Sequence, residues 1–469
     1  MCPAISSIDT QLLRRYDQPG PRYTSYPTAP QFSTDFGMAQ LRQAADASNG
    51  DPIPRQLSLY VHVPYCTSPC FYCGCNRIIT RDKRRAESYL APLYREIGLI
   101  AALFDRDREV IQCHFGGGTP NFLSPAQLHE LMDSLRLNFH FSESRDRDIS
   151  IELDPRFVTP HEVAELCAAG FNRASLGVQD FDPAVQAAVN RIQDVDATMA
   201  VIHACRDSGM RSVNVDLIYG LPKQTQHGFA RTLDIVAMVR PDRVAVYGYA
   251  HLPELFKAQR QIGAADLPSA EEKFGLLELA IAKLTAAGYV YIGMDHFALP
   301  DDELARAQAN GTLHRNFMGY TTHADSDLIG LGVSAISHIG NTYSQNPRDL
   351  PAWQAAIDAG CLPVFRGVHL DEDDCLRADL IQALMCQGAI PIAALESRYA
   401  IDFECYFADS LARLAPLVED GLVKLAPGQV IATPQGRLLL RNIAMCFDRY
   451  LDPHHARRQA ATPSFSRAI

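Results

Sequence analysis

From about residue 57 the chain alternates between short apolar runs and longer amphipathic stretches. LSLYVHV (57–63), VIQCHF (110–115), DISIEL (148–153), RASLGV (173–178), SVNVDLIY (212–219) and RVAVYGY (243–249) are short and rich in β-branched residues. That pattern suits strands buried in a parallel sheet. Helical stretches separate them: about 83–104, one from about 125, DATMAVIHACRDSG, and AEEKFGLLELAIAKLTAAG. A seventh apolar run, YVYIGM, begins near 289. Strands separated by helices require right-handed crossovers. Six or seven such units predict an α/β fold, a partial TIM-type (β/α)6 barrel, with a doubly wound sheet as the alternative.

The flanks read differently. Residues 1–50 lack a sustained period and contain GPRYTSYPTAP; they are expected to form an N-terminal arm over the barrel. QNPRDLPAW, after about 345, marks a break. Residues 346–469 are predicted to be mostly helical, with a small β-wing and a helix in GLVKLAPGQVIATPQGRLLLRNIAMCF. The expected division is thus an arm (1–50), a catalytic barrel (51–345) and a helical C-terminal domain (346–469). A chain of 469 residues is too long for one ordinary core. Its 47% hydrophobic and 21% charged content is that of a globular protein. A net charge of −11 argues against nucleic acid as a partner, even with a wing-like segment. The N-terminus has no apolar leader pattern, and no run approaches the roughly 18–20 apolar residues of a membrane span. A cytoplasmic protein without a membrane partner is expected.

The polar residues that break the pattern gather at one end of the strands. A cysteine cluster follows the first, and Gly116-Gly117-Gly118-Thr119 follows the second. Glu152 and Asp154 end the third, Gln179 and Asp180 follow the fourth, and Asp216 lies late in the fifth. Tyr249, Ala250 and His251 end the sixth. Active sites of barrels lie at that end. Four of the 13 cysteines fall between Cys66 and Cys75. The spacing C-x3-C-x2-C of Cys66, Cys70 and Cys73 on one loop points to an iron–sulfur cluster. Structural zinc, which favours separated ligand pairs, and unmetallated thiols are the alternatives. Three protein ligands would leave one iron open to a small molecule. The glycine run reads as a helix N-terminus whose amides bind a carboxylate, or as a simple tight turn. Glu152, ending a buried strand, needs a partner; Arg156 is the internal one available.

C-x3-C-x2-C after a first barrel strand resembles the radical S-adenosylmethionine signature. The fuller pattern resembles oxygen-independent coproporphyrinogen III oxidases: YVHVPYCTSPCFYCGCN (60–76), HFGGGTP (114–120), IELDPR (151–156), GFNRASLGVQDF (170–181), NVDLIYGLPKQT (214–225), YAHLP (249–253), GMDHFA (293–298), HRNFMGYTT (314–322), GVSAIS (332–337) and RNIAMCFD (441–448). GPRYTSYPTAP is similar to the arm of that family. The resemblance covers nearly the whole chain in order. It implies oxidative decarboxylation of two propionates of coproporphyrinogen III to vinyls, giving protoporphyrinogen IX in haem biosynthesis. It further implies a [4Fe–4S] cluster on Cys66, Cys70 and Cys73, two S-adenosylmethionine molecules, and an electron donor such as flavodoxin or ferredoxin. A monomer is expected. Tyr72 would face the adenine, and Gly117, Gly118, Thr119 and Glu152 the methionine end. Gln179, Arg191 and Asp216 would hold the second S-adenosylmethionine. Tyr60, Ala250 and Ile336 would add contacts around the nucleosides. Cys75 would stay off the cluster yet be needed for activity; the related haem chaperones usually carry phenylalanine there. Arg22, Lys223 and Arg315 are candidates for the substrate carboxylates. A haem chaperone and an anaerobic haem-degrading methyltransferase are the alternatives on this fold.

Overall fold

The computed structural model describes residues 10–451 and 465. The first nine residues of the expected arm, and residues 452–464 and 466–469 of the expected C-terminal domain, lie outside the described residues. The centre is six parallel strands in chain order: β1 (Gln56–Val63), β2 (Glu109–Gly117), β3 (Asp148–Leu153), β4 (Arg173–Gln179), β5 (Ser212–Tyr219) and β6 (Arg243–Gly248). Helices return the chain between them: α1 (Arg84–Ala101), α2 (Pro125–Asn138), α3 (Pro160–Ala169), α4 (Val195–Asp207) and α5 (Gln226–Val239), with α6 (Ala270–Ala286) following β6. This is the (β/α)6 arrangement of a partial TIM-type barrel; among the described residues no ladder joins the two ends of the sheet.

The helices sit where local chemistry starts them. Ser124, Thr159 and Ser269 each accept from the backbone N–H three residues on, while Gln127, Glu162 and Glu272 reach back. In α1, Ala86, Tyr89, Leu90, Leu93, Ile97 and Ile100 are buried at helical spacing and form one face against the sheet.

YVYIGM departs from expectation. It forms β7 (Val290–Gly293), antiparallel to β8 (His296–Ala298), which is itself antiparallel to β6. The reason is local: Gly293 and Met294 take positive φ (151° and 51°) and turn the chain at once. A parallel connection needs a crossover of a dozen residues or so. On the far side, β9 (Ser326–Leu331) pairs parallel with β1. Strands β10 (Ile336–Ile339), β11 (Thr342–Gln345) and β12 (Arg366–His369) then continue the sheet antiparallel.

The arm contains two helices that its weak pattern concealed, Thr10–Tyr16 and Met38–Asn49. The second buries only Leu41 and Ala45, a stripe too narrow to stand out. Beyond β12, Glu372–Gln387 and shorter helices pack with a three-stranded sheet, in the order Ala389–Pro391, Gln429–Ala432, Val423–Ala426. Those last two strands are the expected wing, and the helix Leu440–Met445 follows. Among the described residues no helix is long and apolar enough to cross a membrane.

Candidate active site

A cavity of about 170 Å³ opens at the C-terminal ends of β1 to β5. Its lining includes Cys66, Cys70, Cys73, Cys75, Tyr72, Gly117, Gly118, Thr119, Glu152, Gln179, Arg191 and Asp216. The structure therefore gathers most of the predicted residues into one place. Tyr60, Ala250 and Ile336 are outside that lining. Tyr60 lies beneath it, stacked on His114 at 6.0 Å and hydrogen-bonded to His62 Nδ1 at 3.1 Å. Ala250 lines a second, larger cavity next door. Ile336, at the start of β10, packs against a separate apolar cluster containing Phe32 and Tyr343.

The cysteine loop is held from several sides. Tyr65–Cys66 pairs with Ile78–Ile79, and Thr80 N–H donates to Cys66 O at 2.9 Å. Arg77 donates to Cys70 O at 3.1 Å and to Cys73 O at 3.2 Å. Asn190 Nδ2 donates to Pro69 O at 2.7 Å. These bonds fix the backbone and leave the sulfurs facing the cavity.

The sulfurs meet donors suited to thiolates. Thr119 Oγ1 donates to Cys66 Sγ at 3.3 Å. The Arg191 and Arg156 guanidiniums approach Cys70 Sγ at 3.4 and 3.7 Å. A hydrogen bond from the Cys75 side chain is the main cause that draws the Cys73 thiol down to about 6; Cys75 N–H also donates to Cys73 Sγ at 3.4 Å. Burial instead pushes Cys66 up to about 11, so its ionisation has to be driven by a ligated metal. Among the described residues no three His, Cys, Asp or Glu side chains gather closely enough to hold a single ion. All 12 described cysteines are free. Soft sulfur donors, flanking cations and an adjoining cavity suit a multinuclear iron–sulfur group.

Glu152 does not pair with Arg156, the internal alternative. Burial works to raise its carboxyl, but hydrogen bonds from His114 and from Gly117 N–H outweigh it and hold the group below the usual range. The distances are 3.3 Å from His114 Nε2 to Oε1 and 3.2 Å from Gly117 N to Oε2. Arg156 pairs with Asp154 at 2.6 Å, because both lie in the turn just after β3. Asp154 also takes Arg191 at 2.9 Å. Arg191 is a buried residue, and its Nε has no hydrogen-bond partner.

The glycine run is likewise not a helix N-terminus. β2 continues through Gly117, and Gly118 N–H donates to Val63 O at 2.8 Å. A three-residue 3-10 turn at Pro120–Phe122 follows, and α2 begins only at Pro125. Both amides expected to hold a carboxylate are engaged, Gly117's by Glu152. What the glycines provide is close approach. A Cβ on Gly117, at φ 111°, would lie 2.5 Å from the His62 ring, and one on Gly118 would lie 2.7 Å from the Pro64 carbonyl carbon and 2.9 Å from Tyr65 O. Gly118→Ala therefore forces the glycine strand away from the cysteine loop, an overpacking cost of about 1–3 kcal/mol. The variant is expected to fold but to bind S-adenosylmethionine at least tenfold more weakly by equilibrium dialysis of the reconstituted protein. Unchanged binding would show that the two loops do not need this contact.

Asp216 accepts from Ser175 Oγ and Asn214 Nδ2, each at 2.8 Å. Burial pushes its carboxyl up to about 6, against about 4 in an unfolded chain. The folded state thus holds this proton more tightly, and stability is lost as pH rises between those values. Asp216→Asn is expected to melt higher than the parent at pH 7, with the gap closing below about pH 4. A variant less stable than the parent at pH 7 would contradict this.

Gln179 adopts φ 65° where the β4–β5 register slips, which ends the strand pairing and turns its side chain into the cavity. Reading the sequence missed Gln259. This buried amide donates to Tyr72 O at 2.9 Å and Ala250 O at 3.1 Å, tying the cysteine loop to the end of β6. It sits in an irregular segment whose pattern carries no signal. His62, whose pKa burial lowers, is the other omission; its Nε2 bonds to Asn76 O at 2.9 Å beneath Gly117.

Residues 60–236 match the Radical SAM superfamily, and residues 370–439 match the HemN C-terminal domain. The chain is 50% identical over 461 residues to the oxygen-independent coproporphyrinogen III oxidase of Salmonella typhimurium, covering 98% of each chain. It is also 50% identical over 463 residues to that of Pseudomonas aeruginosa, again covering 98% of each. The solved coproporphyrinogen III oxidase of Escherichia coli, described as a radical SAM enzyme, superposes with a TM-score of 0.89 at 49% identity, covering 95% of this chain and 99% of that one. On this likeness across nearly its whole length, the chain belongs to the family of oxygen-independent coproporphyrinogen III oxidases within the radical SAM superfamily.

Proposed function

We propose that the protein decarboxylates coproporphyrinogen III to protoporphyrinogen IX without oxygen, in a cytoplasmic haem pathway. The observation that carries this reading is the cavity in which three loop cysteines meet Glu152, Gln179, Arg191 and Asp216, in a chain half identical to such oxidases. Each of two propionates loses a hydrogen atom from its β-carbon, then carbon dioxide and one electron, which passes to a one-electron acceptor, leaving a vinyl group. A [4Fe–4S] cluster with S-adenosylmethionine, which membership of the superfamily implies, supplies the 5′-deoxyadenosyl radical that removes the hydrogen.

In this reading Cys66, Cys70 and Cys73 hold the cluster. Arg77 keeps their backbone in place, and Arg191 and Arg156 offset the thiolate charge at Cys70. Tyr72 and Tyr60 border the adenosine. Glu152, oriented by His114, takes the ammonium of the methionine end, and Thr119 with the bare glycine edge admits its carboxylate. Gln179, Arg191 and Asp216 hold a second S-adenosylmethionine, and Ala250 and Ile336 add contacts around the nucleosides. Cys75 stays off the cluster as a hydrogen-bond donor to Cys73. An electron donor such as flavodoxin or ferredoxin delivers the electron, and the chain acts as a monomer. We retain the division into arm, 51–345 catalytic region and C-terminal domain as part of this reading.

The test is anaerobic reconstitution with iron and sulfide, then incubation with coproporphyrinogen III, S-adenosylmethionine and a reductant. Mass spectrometry should find two carboxyl groups lost per substrate, with 5′-deoxyadenosine formed. Abundant 5′-deoxyadenosine without decarboxylated product would overturn the reading.

A further inference from the structure

Beside the cysteine cavity lies a larger one, of about 540 Å³, walled by the arm, the ends of β5 and β6, the start of α6 and the C-terminal region. It is near the reacting site: Asp216 and Tyr219 are three residues apart on β5, roughly 10 Å of strand, and Gln259 joins the Tyr72 and Ala250 carbonyls across the two. Four cations reach it, Arg22, Lys273, Arg437 and Arg441, against the carboxylates of Asp17 and Asp295. In a chain of net charge −11 that local excess is unusual. Leu252, Leu267, Phe274, Leu277 and Leu440 supply an apolar lining.

The arm wall is built in an unusual way. Arg441 donates to Gly20 O, and to Pro21 O at 2.9 Å. Arg315 donates to Arg22 O at 2.7 Å and Tyr23 O at 3.1 Å. Two buried arginines thus grip four successive carbonyls, 20 to 23, and set the Arg22 side chain at the cavity, 3.4 Å from Gly248 O. A Cβ on Gly20 would collide with Met445 Sδ, so the strap lies hard against the C-terminal helix. Burial, and next the nearby Arg22, draw Arg441 down to about 10, against Tyr219, Tyr23 and Asp295. Lys223 and the Arg315 guanidinium do not face this space: Lys223 is an exposed turn residue, and Arg315 is spent on the strap.

We infer that this cavity seats the tetrapyrrole, with Arg22 and Lys273 receiving its carboxylates, and that Arg315 is a positioning residue that aims Arg22 by clamping the strap. This rests on the decarboxylase reading for the identity of the ligand. An apolar ring bearing four carboxylates needs an apolar seat with cations at its rim, which matches the lining.

The probe is coproporphyrin III, the stable fluorescent oxidised form, titrated into the full-length protein with melting temperature as the fold control. Arg22→Ala and Lys273→Ala should each weaken binding at least tenfold and reduce its dependence on salt. Arg315→Gln should weaken it about as much as Arg22→Ala, and the double variant should be no more than about twofold weaker than Arg22→Ala alone. Binding within twofold of the parent for Arg22→Ala and Lys273→Ala would overturn the seat. Additive losses in the double variant would overturn the positioning role. Decarboxylation by the parent is measured alongside. If the parent turns over but the variants bind normally, the seat fails and the function stands; if the parent binds through Arg22 but makes no product, the function fails and the seat stands.

Discussion

Cys70→Ser is expected to abolish the iron–sulfur chromophore and, with it, all measurable cleavage of S-adenosylmethionine, a loss of at least about 10⁴-fold. Cys66→Ser and Cys73→Ser should do the same. A serine hydroxyl is a hard and far less acidic donor than a thiol. At Cys70 the flanking Arg191 and Arg156, at 3.4 and 3.7 Å from sulfur, cannot repair that difference. Iron analysis and absorbance after anaerobic reconstitution should fall from about four irons per chain to near none. Cys75→Ala, which removes the donor, separates two roles for the fourth cysteine. It should retain the iron, because its part is the hydrogen bond that draws Cys73 down, while turnover drops. A Cys75 variant devoid of iron would make it a ligand.

The second large effect is expected at Arg191. Its guanidinium donates to Asp154 Oδ2 at 2.9 Å, to Gly177 O at 2.5 Å and to Cys70 Sγ. Gly177 is small for this reason: a Cβ there would lie 2.9 Å from Arg191 and 2.7 Å from the Gln179 amide. Arg191→Leu strips one of the two cations from a buried carboxylate, a change that costs about 3–5 kcal/mol. Denaturant unfolding should show that loss. Adding Asp154→Asn should recover part of it, since the orphaned charge is then gone. Arg191→Lys should fall between, because an ammonium cannot span three acceptors as a planar fork does. In the parent, burial opposes the Asp154 carboxylate, but Arg191 and Arg156 hold it below the usual range. Its stabilising part is therefore complete above about pH 4 and fades as acid protonates it. Equal stability of Arg191→Leu and parent would show that Arg156 alone suffices.

Much of the barrel could be read from the residues. DISIEL and SVNVDLIY coincide with β3 and β5 to the residue, because buried parallel strands are mostly apolar and β-branched. The polar residues that interrupt or end the strands, Glu152, Gln179 and Asp216, mark the cavity. YVYIGM was misread as a further parallel unit because periodicity reports burial and not direction; the turn at Gly293 and Met294 decides direction. Glu152 does not take Arg156, the internal alternative: it meets His114 across the sheet, while Arg156, in the turn after β3, pairs with Asp154.

By itself, the sequence determined the strand–helix alternation, the cysteine loop and the end of the sheet where the chemistry collects, since each is a local pattern of three to ten residues. Only the tertiary structure decided which charges meet. Arg441 and Arg315 lie 126 residues apart in the chain yet hold consecutive carbonyls of the arm. Gln259 and Asp154 join loops that are distant in sequence. Long-range hydrogen bonds and ion pairs depend on where packed elements bring side chains, and no local periodicity records that.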